Sequence, residues 1–186
     1  EYELVEPEQI ITTELISDYN GYNVSCFNAQ DGSIELLVSG GRVENDYSYQ
    51  WSNNATGSTI SNLSSGEYSV IINDDIGCEI SANFTLSSPP VITIEEIQVE
   101  DITCPELNDG VINVLASGGT GNLGYKLLET GQTSDGEFGG LAAGTYSLII
   151  YDANGCQMQT NVIIIKPAEI ILEEVNVIAA SCGNSD

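Results

Sequence analysis

The sequence predicts an all-β protein of tandem β-sandwich modules, each about 78 residues long. Three observations lead there. The chain repeats itself at a fixed offset, apolar residues in each repeat alternate with period two, and Gly- and Asn-rich turns separate those runs.

A shift of 78 residues superposes Cys26 on Cys104, Cys78 on Cys156 and Cys104 on Cys182. The same shift carries Asp31-Gly32 to Asp109-Gly110 and Ser39-Gly40-Gly41 to Ser117-Gly118-Gly119. It carries Leu63-x-x-Gly66-x-Tyr68 to Leu141-x-x-Gly144-x-Tyr146, and Asp74-x-x-Gly77-Cys78 to Asp152-x-x-Gly155-Cys156. No gap is needed between residues 26 and 181, while the first repeat holds about four extra residues before Cys26, in Asp18-Tyr19-Asn20-Gly21. Leu4-Val5-Glu6-Pro7 matches Ile164-Ile165-Lys166-Pro167, and the residues from Ala168 read like the opening of a further repeat. The expected organisation is therefore the end of a preceding repeat (1–6), two sandwiches (7–89 and 90–167), and the start of a following one (168–186).

Each element has its own signature. Ile34, Leu36 and Val38 alternate with other residues, as do Ile112, Val114 and Ala116. Tyr68, Val70 and Ile72 line one face of another strand. Ile80, Ala82, Phe84 and Leu86 alternate with Glu79, Ser81, Asn83 and Thr85, which describes a half-buried strand. Turns fall at Gly40-Gly41, Asn53-Asn54 and Asp152-Ala153-Asn154-Gly155, where Gly or Asn tolerates positive φ. Beyond each Pro, Ile92 and Ile94 share a face but Ile97 and Val99 have the opposite parity. A bulge at Glu95-Glu96 resolves that conflict, as when an edge strand changes sheet.

Six or seven short strands per repeat imply a sandwich, and Leu-x-x-Gly-x-Tyr makes it immunoglobulin-like. In such sandwiches a Tyr near the start of strand F turns its hydroxyl onto the preceding corner backbone, and Tyr68 and Tyr146 are placed to do so. Trp51, closing Tyr47-Ser48-Tyr49-Gln50-Trp51, suits the buried aromatic of strand C. The second repeat has Glu129 there, so Leu127 or Leu128 is expected to fill its core.

Composition removes whole classes of function. Among 186 residues there are 28 acidic side chains, three basic ones and no histidine, for a formal charge of −25. At 41% hydrophobic residues this is no disordered acidic tail. Three cations hold neither a phosphate backbone nor an anionic membrane surface, so neither nucleic acid nor membrane is an expected partner. No apolar run reaches the roughly 18–20 residues of a membrane span, so no membrane insertion is expected. The first residues lack the basic start and apolar stretch of a signal peptide. Without histidine the commonest general base and transition-metal ligand are missing, and with no CxxC pair a zinc site is not expected. No enzyme and no obligatory cofactor are expected. A glycosidase would need a cleft with one buried carboxyl group, and modules this small offer little cleft.

Cysteine spacing points to an oxidising compartment, since Cys26 to Cys78 and Cys104 to Cys156 each span 52 residues in small β-rich modules. The ordered motifs resemble the SprB-type repeat of large surface adhesins from gliding bacteria. The pattern is Cys, Asp-Gly-Ser-Ile (Asp31–Ile34), Ser-Gly-Gly, Tyr-x-Tyr-x-Trp (Tyr47–Trp51), Leu-x-x-Gly-x-Tyr, and Asp-x-Asn-Gly-Cys (Asp152–Cys156). The second repeat departs at the Trp, and the first at the Asn, where it has Ile76. The resemblance implies a secreted, cell-surface, non-catalytic array serving adhesion, gliding or a filament. Its partners would be neighbouring repeats of the same protein, surface glycans or other cell-surface proteins.

Two cysteine pairings are open. Count and family pattern favour bridges within repeats, Cys26–Cys78 and Cys104–Cys156, leaving Cys182 to a partner beyond the sequence. Strict immunoglobulin-like strand order instead puts those cysteines at opposite ends of a module. A head-to-tail array would then bring Cys26 beside Cys156 and staple the modules lengthwise.

Acidic loop residues Asp31, Asp74, Asp75, Asp109 and Asp152 are candidate weak calcium ligands, with Glu95, Glu96, Glu173 and Glu174 near the junctions. None has EF-hand spacing, and the competing reading is a solvated acidic surface with Asp as turn chemistry. Tyr19, Tyr22, Tyr47 and Tyr49 are candidates for carbohydrate stacking, against cross-strand packing. The sequons at Asn23, Asn54, Asn62 and Asn83 matter only in a glycosylating host. The rival functions are therefore a calcium- or glycan-binding module and, third, an ancillary domain of a secreted hydrolase.

Overall fold

The computed structural model describes residues 8–44, 46–171 and 173–176. Thirteen strands and no helix run through the described residues. The first six are β1 (Ile11–Ile16), β2 (Gly32–Ser39), β3 (Ser48–Trp51), β4 (Thr59–Leu63), β5 (Gly66–Asn73) and β6 (Glu79–Leu86). They form two antiparallel sheets, ordered β1-β2-β4 and β3-β5-β6. The remaining strands are β7 (Thr93–Glu100), β8 (Gly110–Ser117), β9 (Gly124–Leu127), β10 (Thr133–Ser134), β11 (Glu137–Leu141), β12 (Gly144–Tyr151) and β13 (Gln157–Ile164). Their sheets, β7-β8-β11 and β10-β9-β12-β13, repeat the first pair with one short strand added. In both sets strands A, B and E (β1, β2, β4; β7, β8, β11) face strands C, F and G (β3, β5, β6; β9, β12, β13), which is the immunoglobulin-like sandwich.

Alternation sets the core. Ile34, Leu36, Ile60 and Leu63 of one sheet meet Trp51, Val70, Ile72, Phe84 and Leu86 of the other. Trp51 is 2% exposed, donates its indole N–H to the Gly57 carbonyl at 2.8 Å, and lies 5.8 Å from the Phe84 ring. The second sandwich encloses its own core, which includes Ile112, Val114, Tyr125, Leu127, Phe138, Leu148 and Ile150. Both corner tyrosines act as their motif requires: Tyr68 donates to the Ser64 carbonyl at 3.0 Å and Tyr146 to that of Ala142 at 2.8 Å.

The ungapped repeat conceals a local slip. Trp51 pairs with Val70, but its counterpart opposite Leu148, the repeat equivalent of Val70, is Leu127 rather than Glu129. Strand β9 is thus shifted by two residues, and the β9–β11 connection absorbs the difference around β10. Leu127 is fully buried in the Trp position, while Leu128 is 47% exposed. Glu129 stays outside, where its carboxylate accepts from the Ser147 backbone N–H at 2.8 Å. That bond is the main reason its carboxyl group is held below the usual range.

Strand β7 breaks register between Ile94 and Glu96, where the parity conflict required it. It remains paired with β8 on both sides of the bulge and does not change sheet. The four extra residues of the first repeat build a tight hairpin: Asn20 and Gly21 have φ of 55° and 92°, and Tyr19 and Tyr22 pair across them.

Candidate functional site at the junction between sandwiches

Six residues, 87–92, connect β6 to β7, so the second sandwich must sit close to the β1–β2 loop of the first. That loop is folded back on itself. Val24 is fully buried, Ser17 donates to the Asn23 carbonyl at 2.7 Å, and the Ser25 N–H donates to Asp31 at 3.0 Å. Asn23 also clamps the connection, since its N–H donates to the Ser87 carbonyl at 3.0 Å and its side-chain oxygen accepts the Ser87 N–H at 2.9 Å.

The β12–β13 loop of the second sandwich supplies the opposing surface. Asp152 is 4% exposed and organises that loop. One of its oxygens accepts the N–H groups of Asn154 (3.0 Å) and Cys156 (2.9 Å), and the other accepts that of Thr120 (2.8 Å). With the backbone so held, the Asn154 amide points into the first sandwich. It donates to the carbonyls of Tyr19 (3.2 Å) and Ser25 (3.1 Å), and its oxygen accepts from the Asn20 amide.

Beside this contact Cys26 is bonded to Cys156, with their Cα atoms 5.7 Å apart. The bridge joins the two sandwiches, so the expected Cys26–Cys78 and Cys104–Cys156 pairs within repeats are not formed. The reason is strand order. In each module the β1–β2 type loop lies at one end and the F–G hairpin loop at the other, and only head-to-tail stacking brings them together. Cys78 and Cys104 are exposed free thiols. Cys182 lies outside the described residues.

Next to the disulfide is a cleft of about 570 Å³, lined among others by Phe27, Pro89, Pro90, Val91, Ile92 and Met158. Its walls are largely apolar and come from both modules.

The acidic residues singled out in the sequence are divided between loop ends. Asp31 and Asp109 make the same bond in the two modules, to the N–H of Ser25 and of Thr103, each at 3.0 Å. Asp109 also accepts from the Thr103 hydroxyl, and this bond leads in holding its carboxyl group low. Burial opposes ionisation of Asp31, yet the bonds from Ser25 outweigh it and the net shift is downward. Asp74 repeats the role of Asp152, accepting from Arg42 (2.9 Å), Ile76 (3.1 Å) and Cys78 (2.8 Å). The Arg42 N–H is the largest cause of its lowered pKa, against some burial. Asp75 accepts from the Glu44 N–H at 2.5 Å. These carboxylates accept hydrogen bonds, mostly from backbone N–H groups of their own or facing loops, and among the described residues no three His, Cys, Asp or Glu side chains gather as a metal site. Glu95 is the bulge residue of β7, while Glu173 and Glu174 are exposed beyond β13.

The four tyrosines are engaged in local contacts. Tyr19 and Tyr22 close the hairpin, Tyr47 donates to the Gly40 carbonyl at 2.7 Å, and Tyr49 packs with Tyr47 against the first core. The contribution of Asn154 went unnoticed in the sequence. Its signal was the coincidence of two departures, since the repeat with the Asn-Gly hairpin is followed by the repeat with Asn, not Ile, in the opposing loop.

Residues 22–56, from within the β1–β2 loop to the turn beyond Trp51, match the model of the SprB repeat. This stretch is similar to a SprB repeat. The matched stretch includes Cys26, one half of the inter-module bridge. SprB repeats belong to cell-surface proteins, and a disulfide agrees with that setting. No curated protein matches the chain. Among solved structures, a C-terminal 282-residue fragment of intimin, in complex with the intimin-binding domain of its translocated receptor, is 16% identical with a TM-score of 0.42. That match covers 86% of this chain and 64% of the intimin fragment. Murine CEACAM1b is 14% identical over 77% of this chain and 95% of its own, with a TM-score of 0.32. The amphioxus IgVJ-C2 molecule is 18% identical over 86% and 98%, with a TM-score of 0.31.

Proposed function

We propose that the chain is a non-catalytic segment of an extracellular surface array, a stalk or filament whose stacked sandwiches carry tension and hold an adhesive part away from the cell. The observation that carries this reading is the Cys26–Cys156 bridge between modules, reinforced by the Asn154 contacts. A bridge within a module would stabilise that module alone, whereas one between modules fixes their relative placement and gives tension a covalent path. The high negative charge suits such an array, because like-charged neighbours stay soluble and extended. The 78-residue repeat supports a repeat-by-repeat role, in which each module contacts only its neighbours. The test has two arms. Antibody to this chain should stain intact, unpermeabilised source cells, and cells lacking the protein should lose surface attachment or gliding. Staining only after permeabilisation would overturn the reading.

A binding role has weaker support, in the apolar cleft beside the disulfide. A glycan array and a melting curve with calcium or chelator test it. Failure to bind any glycan, with no shift in melting, leaves the structural role alone.

A further inference from the structure

The two-module chain displays, at its opposite ends, the two unjoined halves of the junction described above. At one end is the β5–β6 loop. Asp74 folds it with bonds to Ile76, Cys78 and Arg42, the same scheme by which Asp152 presents Cys156. Cys78 is therefore held as Cys156 is, but it is exposed and free. Beside it opens a cleft of about 290 Å³ lined by Glu8, Gln9, Ile10, Glu79 and Ile80. These correspond by strand position to the shelf of the junction cleft, where Val91, Ile92, Gln157 and Met158 are joined by Cys26 and Phe27 of the preceding module. The smaller cleft is the larger one without its other wall.

At the far end is the β7–β8 loop. Asp109 accepts the Thr103 N–H at 3.0 Å, as Asp31 accepts that of Ser25. The Leu107 N–H donates to the Cys104 carbonyl at 3.0 Å, just as Ala29 donates to Cys26 at 3.0 Å. Cys104 is thus presented on the backbone turn that presents Cys26, again exposed and free. The surroundings differ in a concerted way. This loop lacks the Asn-Gly hairpin, and the opposite end of the chain lacks the amide that would grip it. Half-exposed Ile76 stands where Asn154 stands in the second module, and half-exposed Leu107 stands where the first module has Ala29, so both facing ends carry an apolar side chain.

We propose that Cys104 and Cys78 are the two halves of a second inter-module bridge, so that another module of this repeat docks head to tail at each end and the array is stapled at every junction. Joining the two thiols forms one S–S bond and releases two protons and two electrons. A disulfide of the oxidising compartment, small or carried by an oxidoreductase, takes up both electrons by exchange and leaves as two thiols. With no Asn154 equivalent, this junction relies on its covalent bond and apolar contact. Such a heterologous head-to-tail interface leaves an unused half at each end, so it can repeat from module to module along the chain. The inference rests on the array reading for its setting only, because a crosslink map reports junction chemistry whether or not the array is adhesive.

The test is a tandem chain in which residues 8–167 recur in frame after Pro167, refolded in glutathione redox buffer, alkylated, and mapped as non-reduced peptides. The expected map contains Cys26–Cys156 in each half and one central crosslink, Cys104 of the first half to Cys78 of the second. The outer Cys78 and Cys104 should remain alkylated. Cys104→Ser should lose the central crosslink and retain both Cys26–Cys156 bridges. Alkylation of the central Cys104 and Cys78 in molecules where Cys26–Cys156 has formed would overturn the proposal. So would Cys104 joined to Cys156 of its own module.

Discussion

Reduction of the Cys26–Cys156 bridge should change how much chain can be drawn out under force. The bonded residues are 130 apart in sequence. With the bridge intact, tension applied at the two ends passes from Cys26 directly to Cys156 and bypasses everything between. Only the flanking segments, including β1 and β13, can be peeled away. At roughly 3.3–3.6 Å per extended residue, the bypassed segment holds about 440 Å of contour length. Single-molecule extension of the oxidised chain should therefore fall short of the reduced chain by that amount. Reductant should release it in two steps, because each sandwich has its own core. Bridges within repeats would instead sequester two separate loops of 52 residues, about 175 Å each and about 350 Å together. A difference near 350 Å, or equal extension with and without reductant, would refute the inter-module path.

Three further outcomes follow from named contacts. Tyr146→Phe removes the hydroxyl that reaches the Ala142 carbonyl and should destabilise the second sandwich by about 1 kcal/mol in denaturant titration, leaving the first unchanged. Equal losses in both would contradict the separation of the cores. Asn154→Ile imports the residue of the first repeat and removes the hydrogen bonds to Tyr19 and Ser25. The equilibrium constant for forming Cys26–Cys156 in glutathione buffer should fall roughly tenfold, the cost of one to two lost bonds; an unchanged constant would show that the amide contributes nothing to docking. Acid should weaken the fold through Asp74, Asp31, Asp109 and Glu129, whose carboxyl groups are all held low in the folded chain. A depressed carboxylate stabilises the native state above its unfolded pKa, and that contribution disappears as pH falls through the folded value. Melting temperature should thus be flat near neutrality and drop below about pH 4, with a shallower drop in Asp74→Asn. A melting temperature that rises on acidification would reverse the assigned sign.

Much of the fold was legible because its signals are local. Alternation along Ile80 to Leu86 reflects the pleat, the Asn20-Gly21 turn reflects positive φ, and the opposite parities around Glu95-Glu96 demanded a bulge in one strand. The corner tyrosines were recognisable because their hydrogen bonds reach only four residues back. The two-residue slip of β9 was not legible. Glu129 aligns with Trp51 by count, and only pairing against β12 reveals that Leu127 takes the buried place. Sequence spacing alone is silent when a neighbouring loop absorbs the difference.

The candidate site divides in the same way. The sandwich class and the loops that carry Cys and Asp are readable from residues close together in the chain, and the period from self-similarity at a fixed offset, so none of these needs the fold. Tertiary structure decided what those loops do. The carboxylates of Asp74 and Asp152 turn inward to backbone N–H groups of their hairpins and of the facing β2–β3 and β8–β9 loops, donors that no strand ladder pairs. Cys26 meets Cys156 rather than Cys78 because antiparallel strand order sends the two loops of one module to opposite ends, and a six-residue connection brings the next module against the nearer one.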